Sequence, residues 1–251
     1  MRVLVTFAVE AEFAPWRKLR QFVSRTDGHV EIQSARVGEV DVHVLLTGVG
    51  CRSAWLETTK VVWDGDVDIC ISSGLAGALR EEYSLGDVLA AKNVNPSGGE
   101  RTVRADQTLL ALAVEAGARA VNSFYTTDTV IQSAREKREL GKIADAVEME
   151  SAEVLYEAAA FGARVIAIRA ISDSLNEDLP LNFNKVVNAA GEVSVSRILG
   201  ELARHPAALP GLMRFGRQSQ AAAERLCAFL DKYIEAVVGV PVLAAKGLAT
   251  P

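Results

Sequence analysis

The stretch ARVIAIRAIS, residues 163–172, is nearly continuous in apolar residues and ends at a polar pair, Ser172 and Asp173. Such a run, rich in β-branched side chains, is typical of a strand that is buried on both faces of a sheet. Shorter runs of the same kind recur earlier in the chain, starting at Arg2, Val40, Val67 and Asp87. We therefore expect a sheet whose central strands are covered on both sides.

Helical patterns separate and follow these strands. They cover residues 10–23, 52–63, 106–116, 150–161, 183–204 and 211–237. The alternation predicts an α/β fold, a three-layer sandwich in which helices cover both faces of a twisted central sheet. Only short connections separate the strands within residues 30–47 and 69–92, so a mixed sheet is favoured over an all-parallel one.

The composition fits one globular domain with a small-molecule partner. The 251 residues are 49% hydrophobic and 24% charged, and we expect one domain over residues 1–237 followed by a tail over residues 238–251. The net charge of -5 argues against nucleic-acid binding, which needs a clustered basic surface. The most apolar late stretch, VVGVPVLAAKGLA, is shorter than the roughly 18 to 20 residues of a membrane span.

Neither a metal site nor a cofactor is expected. The 3 cysteines and 3 histidines have no C-x-x-C or H-E-x-x-H spacing. The first residues, MRVLVTFAVEAEF, reach Glu10 and Glu12 too early for a signal peptide, so a reducing cytoplasm is the expected location.

Acidic and small residues gather where predicted strands end, which is where ligands bind in α/β sheets. The segments are AVEAE (8–12), SSGLAG (72–77), AVEMES (146–151) and RAISDS (169–174). Each also has a purely structural explanation. Asp173 could cap a turn, Glu150 could complement a helix dipole, and Gly74 could allow a tight turn from strand to helix.

Taken together, and with SLGDVLAA (84–91), these segments resemble in order and spacing the nucleoside phosphorylase and nucleosidase superfamily, the family of purine and uridine phosphorylases. The resemblance covers about residues 1–200, and VEME followed by RAISD is its most specific part. The 5′-methylthioadenosine/S-adenosylhomocysteine nucleosidases are the most similar branch. The resemblance implies a homodimeric N-ribosyl hydrolase that releases adenine from a 5′-substituted adenosine.

Breaking the bond between purine and ribose develops positive charge on the sugar and negative charge on the base. The resemblance implies that Asp173, oriented by Ser172, donates a proton to N7 of the base. Such an acid needs a dry setting that raises its pKa. Glu150 would accept hydrogen bonds from the ribose hydroxyls, and Met149 would pack against the sugar.

Glu12 and Glu148 would position and activate the attacking water. Glu148 and Glu150 can take separate tasks only where the chain bends between strand and helix, because a regular helix would turn them roughly 200 degrees apart. Phosphorolytic members carry an arginine aligned with Ser72 and a hydroxyl residue aligned with Leu75. Both are missing here, so water is the expected nucleophile.

The purine side of the site is expected in TTDTVIQ, residues 126–132. This segment resembles a base-binding loop, with Asp128 and Val130 in it and with Ile131 offering backbone groups to the adenine edge. Phe183 matches an apolar residue near the base. Gly74 and Leu75 belong to the substrate-binding set, although Leu75 replaces a polar residue and Val130 an aromatic one.

Three alternatives remain open. The stretch from residue 200 to 230 resembles hopanoid-associated members, which act on an adenosine carrying a large apolar polycycle, and a purine nucleoside phosphorylase is a related option. The second alternative is a dinucleotide-binding dehydrogenase, because Gly48, Gly50 and Ser53 form an incomplete dinucleotide-binding pattern. Against it, Asp68 precedes the next strand, whereas a ribose-binding acid should lie at the end of that strand. The third alternative is a nucleoside-binding protein without turnover. The combination of an acid with a water-activating base argues against it, because binding alone needs neither.

Overall fold

The computed structural model describes residues 1–27, 30–63, 67–99, 101–186, 191 and 194–239. Within them the strands are β1 Arg2–Phe7, β2 Val23–Asp27, β3 Val30–Val37, β4 Val40–Leu46, β5 Ile69–Ala78, β6 Val88–Pro96, β7 Val103–Arg104, β8 Arg119–Thr126, β9 Ala146–Glu148 and β10 Arg164–Asp173. The α-helices are α1 Glu10–Leu19, α2 Cys51–Val62, α3 Gln107–Glu115, α4 Ala134–Leu140, α5 Ser151–Ala160, α6 Val195–Arg204 and α7 Leu209–Val237. Short 3-10 turns cover Phe183–Lys185 and Pro206–Ala208.

The strands form one mixed sheet, as predicted. β10 runs parallel to β5 and antiparallel to β6, while β8 joins β6 to β9, and β9 returns to β5. These five strands therefore close into a ring. From β5 the sheet extends outward through β1 and β4, both parallel, to the antiparallel β3 and β2.

Helices cover both faces of this sheet, which confirms the predicted α/β sandwich. Successive residues of β1 alternate between the two layers, since Val5 belongs to a core with Phe13 and Trp16 of α1, whereas Leu4 faces the other core. The first core also contains the buried sides of α3 and α7, and the second those of α2 and α5. The period-two burial of the apolar strands thus requires a helical layer on each side.

Several predicted elements differ from the structure. The helix expected over residues 10–23 ends at Leu19, because β2 begins at Val23. The stretch SSGLAGAL was considered as a turn into a helix but continues as β5 as far as Ala78. Residues 183–204 form a 3-10 turn and the separate helix α6, and positions 187–190, 192 and 193 lie outside the described residues. β8 and α4 were not predicted.

The C-terminal part of the chain was predicted to be a helix followed by a tail. α7 was predicted over residues 211–237 and is confirmed, packing through buried side chains such as Leu226, Leu230 and Ile234 on the first core. Residues 240–251 of the predicted tail lie outside the described residues. No helix among the described residues has the length and apolar character needed to cross a membrane.

A bulge at the end of β10 orients the side chain of Asp173, the last residue of the strand. Ile171 pairs with Ala76 and Asp173 with Gly77, so Ser172 is an extra residue in a bulge. A bulge re-aims the side chains around it. A Cβ atom on Gly77 would lie 2.9 Å from Asp173 Oδ2, so the lack of a side chain there lets the carboxyl group lie against β5.

Candidate active site

A cavity of about 630 Å³ opens where β5, β9 and β10 end and α1 begins. Ten of the eleven residues predicted for the site line it: Glu12, Leu75, Val130, Ile131, Glu148, Met149, Glu150, Ser172, Asp173 and Phe183. The eleventh, Gly74, lies behind the wall against Glu12 and Arg169. The fold therefore brings together residues that are up to 171 positions apart (Glu12 to Phe183).

Arg169 is the centre of a carboxyl cluster, which we define as Glu12, Glu148 and Glu150 with this arginine. Its guanidinium lies 2.5 Å from Glu148 Oε2 and 3.5 Å from Glu150 Oε2. It also donates to the hydroxyls of Ser151, at 2.9 Å, and Ser72, at 3.3 Å. The sequence interpretation missed Arg169, although a charged residue in an otherwise apolar buried strand was a signal for it.

Glu148 and Glu150 lie on either side of a bend, as their proposed division of tasks requires. β9 ends at Glu148, and Glu150 occupies the N-cap position of α5. Glu148 Oε2 accepts from the backbone N–H of Glu150 at 3.0 Å and of Ser151 at 2.7 Å, while Thr126 donates to Oε1. Glu150 Oε1 accepts from the N–H of Gly50 at 2.9 Å. Glu148 is thus buried and caps the helix through its carboxylate.

Glu12 reaches the cluster from the first turn of α1. Its Oε2 accepts from the backbone N–H of Ala8 at 3.0 Å, and its Oε1 from that of Leu75 at 2.9 Å. The second bond ties the helix to β5 at the point where the strand passes the cavity. These backbone donors hold the carboxyl group of Glu12 in one orientation, and the residue is only 8% exposed.

The three carboxyl groups differ in their protonation behaviour. Burial raises the pKa of Glu12, against the opposing effects of Arg169 and the backbone donors. Burial, with the charge of Glu148 added, raises the pKa of Glu150 to about 7. Burial alone would raise the pKa of Glu148 too, but Arg169 and the donors on that carboxylate outweigh it and lower the pKa. Near neutral pH, Glu148 is therefore the anion paired with Arg169.

Gly74 is required by the close approach of the cluster to β5. Its φ is +142°, and a Cβ atom would lie 2.4 Å from Arg169 Nη1 and 3.0 Å from Glu12 Oε1. Only glycine accepts this conformation without strain and leaves room for the guanidinium. A tight turn was the structural explanation considered for Gly74, but the structure shows that close packing requires the glycine.

Asp173 lies in a different part of the cavity wall and is 6% exposed. Its Oδ1 accepts from Ser172 Oγ at 2.9 Å. Its Oδ2 lies 2.5 Å from Nζ of Lys137, a fully buried residue of α4. Ser172 was expected to orient the carboxyl group, but Lys137 was not anticipated, because α4 was not predicted.

The residues predicted for the purine side are divided between the main cavity and an adjoining depression. Both backbone groups of Val130 are taken by the side-chain amide of Asn184, at 2.7 and 3.0 Å. Within the described residues the backbone groups of Ile131 have no hydrogen-bond partner. Asp128 does not line the main cavity but lies in an adjoining depression with Cys51. Phe183 packs against Phe215 of α7, with 5.3 Å between ring centroids.

The glycine pattern that suggested a dinucleotide site contributes instead to the depression beside the cavity and to the contacts of Glu150. Gly50 precedes α2 at a φ of 96° and donates to Glu150, as described above. Asp68 accepts from the backbone N–H of Arg2 at 2.8 Å, next to the start of β1. Asp68 lies where β5 begins, whereas Gly50 follows the carboxyl end of β4. The two residues are therefore at opposite ends of the strands, too far apart to bind one ribose together. The described residues include no cluster of three or more side chains suited to holding a metal ion.

Residues 2–235 match the family model of the phosphorylase superfamily, so the chain belongs to this superfamily. The predicted resemblance is thereby confirmed. Among curated relatives, the chain is 25% identical over 229 residues to a 5′-methylthioadenosine/S-adenosylhomocysteine nucleosidase of Bacillus velezensis, covering 81% of this chain and 99% of the relative. A nucleosidase of the same name from Shewanella halifaxensis is 25% identical over 227 residues, covering 80% of this chain and 99% of the relative.

Solved structures show the same fold. A futalosine hydrolase of Helicobacter pylori superposes with a TM-score of 0.74 at 19% identity, covering 94% of this chain and 97% of the other. A 5′-methylthioadenosine/S-adenosylhomocysteine nucleosidase of the same organism gives a TM-score of 0.73 at 19% identity, covering 94% and 98%. The similarity covers 94% of this chain, so the architecture of nearly the whole chain is that of these proteins.

Proposed function

We propose that this protein is a nucleosidase that hydrolyses the N-ribosyl bond of a 5′-substituted adenosine, such as 5′-methylthioadenosine or S-adenosylhomocysteine. The observation that carries the proposal is one cavity with the carboxyl cluster on one wall and Asp173 on another. Anionic groups beside the sugar and an acid beside the base are what an oxocarbenium-like departure needs. The curated relatives described above support this activity.

On the sugar side, Glu12 is the proposed base for the attacking water. Its raised pKa makes it a better proton acceptor than an ordinary carboxylate, and its fixed orientation reduces the cost of positioning. Glu150 accepts the ribose hydroxyls, and Met149 packs beside it. Glu148, paired with Arg169, caps α5 and thereby holds Glu150 and Met149 in place.

On the base side, Asp173 is the proposed general acid. A proton delivered to N7 lets the purine depart as a neutral molecule, a contribution typically worth about 10² to 10⁴ in rate. The backbone groups of Ile131 are available to the purine edge. Phe183 supplies an apolar surface beside the ring.

Water is the proposed nucleophile, in preference to phosphate. Ser72, where phosphorolytic relatives have an arginine, is fully buried and bonded to Ser151 at 3.0 Å. Leu75 offers no side-chain donor. A phosphate dianion placed beside three carboxyl groups would be repelled and left without partners.

At the 5′ position the cavity is proposed to favour an apolar group, as in 5′-methylthioadenosine, over a bare hydroxyl. The cavity is also lined by apolar residues, Ala11 and Pro15 of α1 and Phe215 of α7. Phe215 lines the cavity, whereas Met213 on the same helix does not and is 52% exposed. This apolar extension also favours, as a second candidate, a larger apolar 5′ group of the hopanoid-associated kind.

We also propose a cytoplasmic homodimer, as the family resemblance implies. Cys51, Cys70 and Cys227 are all free thiols, in keeping with a reducing compartment. Light scattering during gel filtration would measure the assembly, and a monomer at micromolar concentration would contradict the dimer.

The proposed reaction is tested by incubating the purified protein with 5′-methylthioadenosine, S-adenosylhomocysteine, adenosine and inosine, with and without phosphate. Chromatography of the products should show free adenine and free 5′-substituted ribose, at rates that do not depend on phosphate. Formation of a ribose 1-phosphate that requires phosphate would overturn the choice of water. Binding without base release from any of these nucleosides would favour a binding protein.

A further inference from the structure

Lys137 is a fully buried lysine next to the cavity. α4, which carries it, begins with a capping box formed by Ser133 and Glu136. The Nζ atom donates to the carbonyl oxygens of Ser174 and Glu177, each at 2.9 Å, and lies 2.5 Å from Asp173 Oδ2. These three contacts match the three protons of an ammonium group. A lysine without solvent needs such a set, because an unpaired buried charge is strongly unfavourable.

The contacts of Asp173 indicate which protonation state its surroundings suit. Both carboxyl oxygens already accept hydrogen bonds, Oδ1 from Ser172 and Oδ2 from Lys137. An acid that has just released its proton needs this arrangement of donors. The donors around Asp173 are therefore those that stabilise the carboxylate left after a proton transfer.

We propose that Lys137 is a positioning residue that stabilises the Asp173 carboxylate formed when the base leaves. This inference rests on the proposed nucleosidase function. In that step the C1′–N9 bond breaks, its electron pair goes to the purine, and the proton of the Asp173 carboxyl group moves to N7. Water adds to C1′ and gives a proton to Glu12, which then releases it to solvent, and Asp173 takes up a proton from solvent.

The charge of Lys137 acts on this step because the anion appears only as the proton leaves. Its attraction is therefore stronger in the transition state than in the substrate complex, which is the condition for raising kcat. Lys137 also ties the loop from Ser174 to Glu177 to α4. A test must consequently separate the effect of charge from loss of structure.

The test compares two substrates on each variant. 5′-Methylthioadenosine needs a proton at N7, whereas its N7-methyl derivative already carries positive charge there and departs without one. Lys137→Met removes the charge, Lys137→Arg keeps it, and Lys142→Met is the matched control, because Lys142 is 68% exposed and pairs only with Glu139 within the described residues.

We expect Lys137→Met to lower kcat on 5′-methylthioadenosine by about 10- to 100-fold, less than the full contribution of a general acid. The rate on the N7-methyl substrate should change by less than about threefold. Lys137→Arg should recover most of the loss, and Lys142→Met should match the wild type. Asp173→Asn should show a larger loss than Lys137→Met, with the same selectivity between the two substrates. Since both substrates meet the same variant, a smaller folded fraction lowers both rates equally.

Two results would overturn the inference while leaving the nucleosidase function intact: an equal fall on both substrates, which marks a structural role, or no fall on either. Failure of the wild type to release base from either substrate would instead reject the nucleosidase function and this inference together. A selective loss that arginine does not restore would also reject the assignment to charge, provided that thermal unfolding shows the arginine variant folded.

Discussion

Glu150→Gln should remove a pH dependence from the stability of the folded protein. In the folded state burial holds the pKa of Glu150 at about 7, against an ordinary value of 4.5. The unfolded chain therefore releases this proton at lower pH than the folded one. Stability from this group is fully present below pH 4.5 and is lost as the pH rises through 7.

The magnitude follows from the separation of the two values. At about 1.4 kcal/mol for each pH unit, the full effect is about 3 kcal/mol, most of which falls between pH 5 and pH 8. Glutamine keeps an oxygen that can accept from the Gly50 N–H and stays neutral throughout. The variant should match the wild type near pH 5 and exceed its free energy of unfolding at pH 8.

Urea unfolding at pH 5 and pH 8 measures this difference through the midpoint at constant m-value. Other groups titrate over the same range, so the quantity that matters is the wild type minus the variant at each pH. Glu115→Gln, at an exposed position at the end of α3, is the matched control and should run parallel to the wild type. Parallel curves for Glu150→Gln would refute the burial argument for this carboxyl group.

Asp173→Asn should leave nucleoside binding intact by calorimetry but lower base release by about 100-fold or more, and near-normal turnover would remove Asp173 from the mechanism. Arg169→Met leaves three buried carboxyl groups without their cation and should lower the free energy of unfolding by about 3 to 5 kcal/mol; a loss under about 1 kcal/mol would mean that the cluster neutralises itself by taking up protons. Gly74→Ala should lower both kcat and melting temperature by more than Gly98→Ala, which has a φ of +103° but open space around it, and equal effects would reduce the result to backbone strain. Specificity constants should favour 5′-methylthioadenosine over adenosine by about fivefold, since burying a small apolar group gains about 1 kcal/mol, and equal use of adenosine would contradict an apolar 5′ pocket.

The sequence determined the strands and the residues at their ends. Apolar runs predicted β1, β4, β5, β6 and β10, because a strand buried on both faces leaves a continuous apolar signal. The polar residues that interrupt such runs, above all Ser172 and Asp173, pointed to the edge of the sheet where the cavity lies. The bend between Glu148 and Glu150 was expected because the separate tasks that the family resemblance implies for them require it.

Local patterns failed where structure depends on partners distant in the chain. β9 is three residues long and exists because β8 and β5 flank it, so no periodicity could reveal it. Arg169 looked like one exception in an apolar strand, and only the folded chain shows the glutamates that surround it.

Tertiary structure alone decided the charge state of the site. Whether a carboxyl group is an anion or holds its proton depends on burial and on the charges within a few ångströms. Glu148 and Glu150, one residue apart in the sequence, have pKa values shifted in opposite directions, because Arg169 approaches the first more closely than the second. Asp173 meets Lys137 across 36 residues. The sequence supplies the ionisable groups, but only the distances between them in the folded chain set their chemistry.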